Sequence, residues 1–317
     1  MKLLFAFFRL IRWPNLVFIA LTQSLFYYCI IVPSLPATYY QSPYQLTQPL
    51  FFLLLTASLF IAAAGYIIND YFDINIDQVN KPEKMVIDKI IKRRWAIVQH
   101  WSITTVGLII SLYVSYKTSY LIVIVNVLCT LLLWFYSTTF KKKLLTGNII
   151  ISLLTAWTVL VLYFAANNTY HFSINFSSDV ITAMNRIFKF AVLYGGFAFI
   201  ISLVREVVKD IEDVEGDAKY NCKTMPIVWG IPSSKVFAGV WLVVLIGALS
   251  IMQFYAFQLG WWLTALYCFL LVILPLMWIL RKLYTAQNIL QYHKVSSSIK
   301  LVMLSGILSM IFFRLYV

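Results

Sequence analysis

Long apolar runs separated by short polar segments dominate this chain. Nine runs are predicted to cross a membrane as helices, since about 20 residues rising about 1.5 Å each span about 30 Å of hydrocarbon. They cover residues 14–34, 48–69, 96–116, 119–138, 147–166, 183–207, 234–256, 260–280 and 296–316. Residues 1–12 mix Leu and Phe with Lys2, Arg9 and Arg12, which predicts an amphipathic helix at the membrane surface. The pattern predicts an all-α integral membrane protein.

The composition and the placement of positive charge agree with that prediction. Hydrophobic residues make up 62% of the chain and charged residues 12%, against about 25% charged residues in soluble domains. The net charge of +13 does not indicate nucleic-acid binding, because Lys and Arg lie in the loops between spans. With a cytoplasmic N-terminus, only Lys117, Arg186, Lys189 and Arg314 lie outside. We predict a multi-pass protein of the cytoplasmic (inner) membrane.

Negative charge is gathered in two clusters. Of the 12 acidic residues, all but Asp179 fall within residues 70–88 or 206–217. The spacing of the first cluster recurs 140 positions later, where Asp70, Asp73 and Asp77 have the counterparts Asp210, Asp213 and Asp217. On one continuous helix, the spacing i, i+3, i+7 places three carboxylates on one face. Each cluster therefore forms a candidate site near the cytoplasmic end of a span.

The repeated spacing also predicts how the chain is organised. Both clusters follow an even-numbered span, and they are four spans apart. We predict a single domain built by duplication of two four-helix units, about 14–138 and 147–280, with 296–316 as a ninth helix. The polar segments 72–95 and 210–232 are too long for simple connectors, which predicts loops that cap the cytoplasmic side.

Clustered carboxylates repel one another unless a cation neutralises them. Hard cations such as Mg²⁺ take oxygen ligands and are commonly completed by phosphate oxygens. Two clusters facing each other would therefore hold Mg²⁺ ions against a diphosphate, with positive charge added by Lys81, Lys141, Lys142 and Lys209. The scattered His and Cys residues argue against zinc, and no G-x-x-x-x-G-K-[S/T] loop indicates nucleotide hydrolysis.

A diphosphate site within a membrane protein suggests a lipid diphosphate as the substrate. Metal ions that draw charge from the leaving diphosphate promote ionisation of an allylic C–O bond. Aromatic faces would then stabilise the carbocation through cation–π attraction. Aromatic residues are 17% of the chain, and those near the inferred site are Tyr66, Tyr71, Phe72, Tyr136, Phe140, Tyr194 and Phe197. For any single one, a membrane-interface anchor is the more common role.

Several segments resemble the UbiA superfamily of intramembrane prenyltransferases. Its first aspartate-rich motif is similar to Asn69-Asp70-x-x-Asp73-x-x-x-Asp77 with Asn80-Lys81-Pro82. Its second motif resembles Lys209-Asp210-Ile211-Glu212-Asp213-Val214-Glu215-Gly216-Asp217 with Thr224-Met225-Pro226. Further similar segments are Tyr136-Ser137, Lys141, Gly147-Asn148 and Arg12-Trp13-Pro14-Asn15. The resemblance covers nearly the whole chain.

The resemblance implies a nine-helix bundle around a central cavity, with cytoplasmic cap loops and a lateral opening for the isoprenoid tail. By the resemblance, the Mg²⁺ ligands are Asn69, Asp73, Asp213 and Asp217. The catalytic residues that support the metal or the acceptor are Asp70, Asp77 and Asp210. The substrate-binding residues are Asn15, Lys81, Tyr136, Lys141, Arg205 and Lys209.

The resemblance also implies a function. It is Mg²⁺-dependent transfer of a prenyl group from a polyprenyl diphosphate to a lipophilic acceptor. The residue sequence of the second motif is most similar to that of members that make digeranylgeranylglyceryl phosphate. This similarity favours a prenylglyceryl phosphate acceptor. Two differences weigh against a direct transfer of the 4-hydroxybenzoate assignment: the run Lys84-Met85-Val86-Ile87-Asp88-Lys89, and Ala62 where quinone-type members carry Arg.

Three alternatives stay open at this point. The acceptor could be an aromatic ring of quinone biosynthesis, of the 4-hydroxybenzoate, dihydroxynaphthoate or homogentisate type. A membrane transporter is the alternative from another class, although the acidic residues lie at span ends and not within spans. A structural membrane scaffold would leave the acidic repeat unexplained. The expected partners are the two substrates and membrane lipids, with no nucleic acid and no obligate protein partner.

Overall fold

The computed structural model describes residues 2–41, 45–80, 82–167 and 177–316. Its main helices are α1 (Lys2–Leu10), α2 (Trp13–Ser34), α3 (Gln48–Phe72), α4 (Ile74–Asn80), α5 (Arg93–Lys117), α6 (Leu121–Thr138), α7 (Thr146–Ala166), α8 (Ser178–Glu212), α9 (Val214–Lys219), α10 (Met225–Val228), α11 (Gly230–Gln258), α12 (Trp262–Thr285) and α13 (Ile289–Phe313). Within these ranges, nine helices are long and apolar enough to cross a membrane, namely all but α1, α4, α9 and α10. The predicted all-α, nine-span architecture is confirmed.

Several spans extend further into polar sequence than their hydropathy predicts. α8 begins five residues before the predicted start at 183 and ends five residues after 207. α13 begins at Ile289 because Asn288 and Gln291 form a capping box, in which Oδ1 of Asn288 accepts from the Gln291 amide at 3.0 Å. Backbone hydrogen bonds can continue a helix into polar sequence. The length of the apolar run therefore underestimates the length of these helices.

Two spans change their helical pitch next to a proline. α2 contains a π-helical segment, Phe26–Ile31, just before Pro33, and α12 contains another, Phe269–Ile273, just before Pro275. Proline has no N–H group, and its ring crowds the carbonyl four residues earlier. A wider π turn accommodates that carbonyl without ending the helix. Both spans therefore stay continuous across their prolines.

The chain divides into two compact units. The first comprises Met1–Phe140 and Trp157–Val192, and the second comprises Lys141–Ala156 and Leu193–Val317. Two of the three boundaries fall inside α7 and α8, so the units differ from the bounds drawn for the predicted repeat. The duplication itself stays a prediction.

In the first unit, α3 is packed closely by α5 and α6. A Cβ atom on Gly65 would come within 2.9 Å of the Leu133 side chain, and one on Gly107 within 3.2 Å of Phe60. The run Ala62-Ala63-Ala64-Gly65 thus allows the close helix contact expected of small residues in membrane spans. This packing holds the end of α3, which carries the first acidic motif.

The N-terminal helix α1 packs against the segment that follows the first motif. Leu10 is fully buried in a cluster with Ile67 of α3 and with Val86. Phe5, on another face of α1, is 72% exposed. The amphipathic character predicted for this helix is therefore present, while the cytoplasmic position of a cap here stays a prediction.

In the second unit, four spans share one apolar core. Val204 of α8, Leu242 of α11, Leu276 of α12 and Ile299 of α13 are each 0% exposed within it. In water, burial of such side chains contributes about 1.5–3 kcal/mol each relative to exposure. In a membrane the surrounding lipid is also apolar, so the contribution comes from packing. The core positions α8, which ends in the second acidic motif.

Two hydrogen bonds fix how α8 and α13 align. The hydroxyls of Tyr194 and Ser309 lie 2.8 Å apart. Near the other end of the pair, Nδ1 of His293 lies 2.9 Å from Oε1 of Glu212. Residue numbers rise along one helix as they fall along the other, so the two helices run antiparallel.

Candidate active site

The first acidic motif lies at a break between two helices. α3 ends at Phe72, and Asp73 takes φ −89° and ψ 0° before α4 begins. The Asp73 amide still donates to the Asn69 carbonyl at 3.0 Å, and the Asp77 amide to the Asp73 carbonyl at 2.8 Å. The expectation of one continuous helix was therefore wrong, because Asp73 separates two helices, although the hydrogen-bond ladder continues across it.

Two predicted metal ligands of the first motif are in direct contact. Nδ2 of Asn69 donates to Oδ2 of Asp73 at 2.8 Å. Both residues are buried, with exposed fractions of 8% and 3%. Asp77, on α4, is half-buried. An amide and a carboxylate thus lie side by side at the end of α3.

Asp70 is held by a residue that the sequence analysis did not include among the site residues. The guanidinium of Arg12 donates to Oδ1 of Asp70 at 2.6 Å and lies 5.2 Å from the ring centroid of Tyr66. Burial disfavours the charged guanidinium, but the charge of Asp70 offsets this, so the pKa of Arg12 is raised. The only sign of this contact in the sequence was the resemblance of Arg12-Trp13-Pro14-Asn15 to the family. The structure shows that Arg12 of this segment pairs with Asp70.

The second acidic motif repeats the local geometry of the first. α8 ends at Glu212, and Asp213 takes φ −98° and ψ 10° before α9 begins. The Asp213 amide donates to the Lys209 carbonyl at 2.9 Å, and the Asp217 amide to the Asp213 carbonyl at 3.1 Å. Asp217 is 5% exposed. In each motif the middle aspartate therefore marks the helix break.

Asp210 has a neutral partner where its counterpart Asp70 has a cation. Nδ2 of Asn148, in the first turns of α7, donates to Oδ2 of Asp210 at 2.8 Å. Asn148 is buried. Asn148 belongs to a segment that resembles the family, Gly147-Asn148, and its partner in the structure is Asp210.

The basic residues predicted to bind substrate fall into separate groups. Arg205 and Lys209 both contact Glu206, each at 3.0 Å, and Glu206 is 12% exposed. Lys141 lies in the short helix Phe140–Lys142, whose last carbonyl accepts a hydrogen bond from the backbone of the segment after the second motif. Lys141 therefore belongs with the second motif in the same unit.

The remaining predicted residues lie in the first unit or outside the description. Asn15 is half-buried in the first turn of α2, and its amide donates to the Arg12 carbonyl at 2.8 Å. Tyr136 is half-buried near the end of α6. Lys81 lies outside the described residues.

The aromatic residues near the motifs do not share one role. Tyr66 contacts the guanidinium of Arg12, so it does border the first motif. Tyr194 and Phe197 instead pack on α13, the first through its hydroxyl and the second against a glycine. These two lie more than three turns before Asp210 along α8, and their place near the site stays a prediction.

The donor atoms of the motifs fit magnesium. Across residues 2–41, 45–80, 82–167 and 177–316, no three His, Cys, Asp or Glu side chains converge closely enough to hold a metal ion. Mg²⁺, however, is usually held by one or two carboxylates, with water and substrate phosphate completing its octahedron. Each motif contains two side chains with oxygen atoms of this kind, Asn69 and Asp73 in the first and Asp213 and Asp217 in the second.

Comparison with known proteins identifies the family. The UbiA prenyltransferase family profile matches residues 30–297. A digeranylgeranylglyceryl phosphate synthase of Methanosphaera stadtmanae is 26% identical over 254 residues, covering 79% of this chain and 83% of that protein. A solved structure of a digeranylgeranylglyceryl phosphate synthase in membranes is 25% identical, with a TM-score of 0.62 over 98% of this chain and 99% of that one.

A second solved structure agrees in fold alone. A UbiA homologue from Archaeoglobus fulgidus, bound to GPP and Mg²⁺, has a TM-score of 0.58 at 12% identity, over 96% of this chain and 99% of that one. Together with the nine spans, the profile confirms the resemblance seen in the two aspartate-rich motifs. The protein is a multi-pass membrane prenyltransferase, and the chain belongs to the UbiA prenyltransferase family.

Proposed function

We propose that this protein transfers a prenyl group from a prenyl diphosphate to the hydroxyl of a prenylglyceryl phosphate, with Mg²⁺ as cofactor. The observation that carries the proposal is the likeness to digeranylgeranylglyceryl phosphate synthases over most of the chain, including both acidic motifs. Family membership favours an enzyme over the transporter and the scaffold considered from the sequence. The aromatic acceptors become outcomes of the test.

The proposed metal ligands are Asn69 and Asp73 from the first motif and Asp213 and Asp217 from the second. Support comes from their oxygen donors, from the Asn69–Asp73 contact of 2.8 Å, and from the Mg²⁺ bound to a prenyl diphosphate in the Archaeoglobus fulgidus neighbour. When bound, Mg²⁺ neutralises the leaving diphosphate and so lowers the barrier to cleavage of the allylic C–O bond. Lys141 and Lys81 would add positive charge for the diphosphate.

The other motif aspartates act on the acceptor in this proposal. As the C–O bond of the prenyl diphosphate breaks, a new C–O bond forms to the acceptor oxygen, and the hydroxyl proton must leave. Asp210 is the residue that we assign to accept this proton, because its partner is the neutral amide of Asn148. The charge of Asp70 is already matched by Arg12, so we assign it a positioning role, together with Asp77.

We also propose that the active site faces the cytoplasm of the cell membrane, since the positive residues cluster on that side of the predicted topology. Single cysteines at Lys223 and at Lys117, in a chain with its four native cysteines replaced, test this orientation. Impermeant maleimide should label Lys117→Cys in whole cells and Lys223→Cys only in inverted vesicles. Labelling with the reverse pattern would overturn the orientation.

The acceptor is tested with purified protein in lipid nanodiscs. Geranylgeranyl diphosphate and Mg²⁺ would be supplied with geranylgeranylglyceryl phosphate, 4-hydroxybenzoate, dihydroxynaphthoate or homogentisate, and products identified by mass spectrometry. We expect diphosphate release and a prenylated product with the glyceryl phosphate lipid. A product formed only with an aromatic acceptor would overturn the proposal.

A further inference from the structure

Lys300 of α13 lies level with Arg205 of α8. The contact between Glu212 and His293 fixes the alignment of these antiparallel helices. Arg205 is seven residues before Glu212, and Lys300 is seven residues after His293, so equal steps from one contact reach both. The Tyr194–Ser309 contact at the far end agrees with this alignment to within two residues. Two polar contacts thus place Lys300 opposite Arg205.

Three cations gather at this level of the second unit. Arg205 and Lys209 both contact Glu206, and the charges of both act on Lys300. Lys300 is half-buried and follows Ile299, which is 0% exposed in the apolar core. Three cations therefore lie close together, beside the carboxylate of Glu206 and within electrostatic reach of Asp210.

One donor in this cluster is unused. Nε of Arg205 is buried, and no described residue accepts a hydrogen bond from it. A buried donor without an acceptor costs about 1–3 kcal/mol. An anion that enters the cluster would accept a hydrogen bond from this group.

We propose that Arg205, Lys209 and Lys300 bind the phosphate of the acceptor lipid. The proposal rests on the proposed function, which gives the enzyme an acceptor that carries its own phosphate. A phosphate monoester has a charge of about −1.5 to −2 at pH 7, and neighbouring Arg and Lys side chains are suited to bind it. Lys300 is the residue that this adds to the site.

The position of the cluster separates it from the site of the diphosphate. The metal ligands Asp213 and Asp217 follow the end of α8, whereas Arg205 lies about 10 Å back along that helix. A diphosphate held through Mg²⁺ at the helix break leaves the deeper cations for a second anion. An aromatic acceptor without a phosphate would make no use of them.

Steady-state kinetics with both substrates provide the first test. Lys300→Met should raise the KM for geranylgeranylglyceryl phosphate about tenfold, the loss expected for one charged hydrogen bond of about 1.5 kcal/mol. The KM for geranylgeranyl diphosphate should stay within twofold. Lys300→Arg should restore most of the affinity for the acceptor, since it keeps the charge. Equal increases in both KM values, or no increase for the acceptor, would overturn the assignment.

Lys294 provides a matched control on the same helix. It is exposed near the start of α13 and does not belong to the cluster of Arg205, Lys209 and Lys300. Lys294→Met should leave both KM values unchanged. Elution volume in size-exclusion chromatography and thermal unfolding in detergent should match wild type for both methionine variants, which separates loss of binding from loss of folding.

A binding measurement distinguishes failure of this proposal from failure of the proposed function. Microscale thermophoresis would compare geranylgeranylglyceryl phosphate with uncharged geranylgeranylglycerol. Wild type should prefer the phosphate form at least tenfold, and Lys300→Met should lose most of that preference. If wild type shows the preference but makes no product, the proposed reaction fails while the phosphate site stands. If wild type shows no preference, the phosphate site is wrong whatever the reaction.

Discussion

The guanidinium of Arg12 donates a hydrogen bond to Oδ1 of Asp70 at 2.6 Å, which joins residues 58 positions apart. Arg12 has a left-handed backbone with φ 50° at the start of α2, a region that costs a residue with a side chain about 1 kcal/mol or more. The contact fixes the beginning of the first span to the end of α3. The first acidic motif is therefore positioned in part by the N-terminal segment.

Arg12→Gln should lower turnover about tenfold or more, because small displacements of an active-site group have large effects on rate. The pair is 38% and 22% exposed, so its loss should change stability by only about 1 kcal/mol. Prenyl transfer and thermal unfolding would be measured on the same sample. Arg9→Gln is the control, since Arg9 donates to the backbone carbonyl of Glu83. Equal losses in the two variants would argue against a specific role for Arg12.

Asp73→Asn and Asp213→Asn should each raise the Mg²⁺ concentration needed for half-maximal diphosphate release at least tenfold, because each removes a charged metal ligand. EDTA should abolish release by the wild type. Asp179→Asn is the control, because Asp179 lies at the start of α8, far along the chain from both motifs. An unchanged Mg²⁺ dependence in both motif variants would show that the metal lies elsewhere.

Asn148→Ala should destabilise the protein by about 1–3 kcal/mol, since it removes the donor to the Asp210 carboxylate. Asn148→Ala with Asp210→Ala should cost less than the sum of the single changes, because neither partner is then left alone. Unfolding in detergent would be followed for the full cycle. Strictly additive costs would mean that the 2.8 Å contact does not couple the two residues energetically.

Gly306→Ala should destabilise the contact between α13 and α8 by about 1–3 kcal/mol through overpacking. A Cβ atom on Gly306 would lie 2.7 Å from the ring of Phe197, a contact that requires the ring or a helix to move. Gly247→Ala is the matched control, because a Cβ atom there meets nothing within 4 Å. We expect Gly247→Ala to be neutral or slightly stabilising, since alanine favours helix. Similar thermal unfolding of the two variants would contradict the packing argument.

The helix boundaries show how far hydropathy could predict this fold. Apolar runs located all nine spans, because crossing a bilayer imposes a minimum length of apolar sequence. Hydropathy did not predict that α8 continues to Glu212 or that α13 begins at Ile289. Those ends depend on capping and on backbone hydrogen bonding, which hydropathy does not measure.

The helix breaks at Asp73 and Asp213 show the same limit within the motifs. The spacing of the aspartates was visible in the sequence, but it was interpreted on one straight helix. In the structure, each motif instead has two helices that are separated at the middle aspartate, Asp73 or Asp213. Backbone geometry near ψ 0° is decided by the surrounding packing, which residue spacing does not encode.

The sequence by itself determined the nine-span helical class, the two aspartate-rich motifs and the family that they resemble. Those features depend on composition and on local spacing, so they are readable along the chain. Only the tertiary structure decided that Arg12 pairs with Asp70, that Asn148 pairs with Asp210 and that Lys300 lies level with Arg205. These partners lie between 58 and 95 positions apart, and helix packing alone brings such distant residues together.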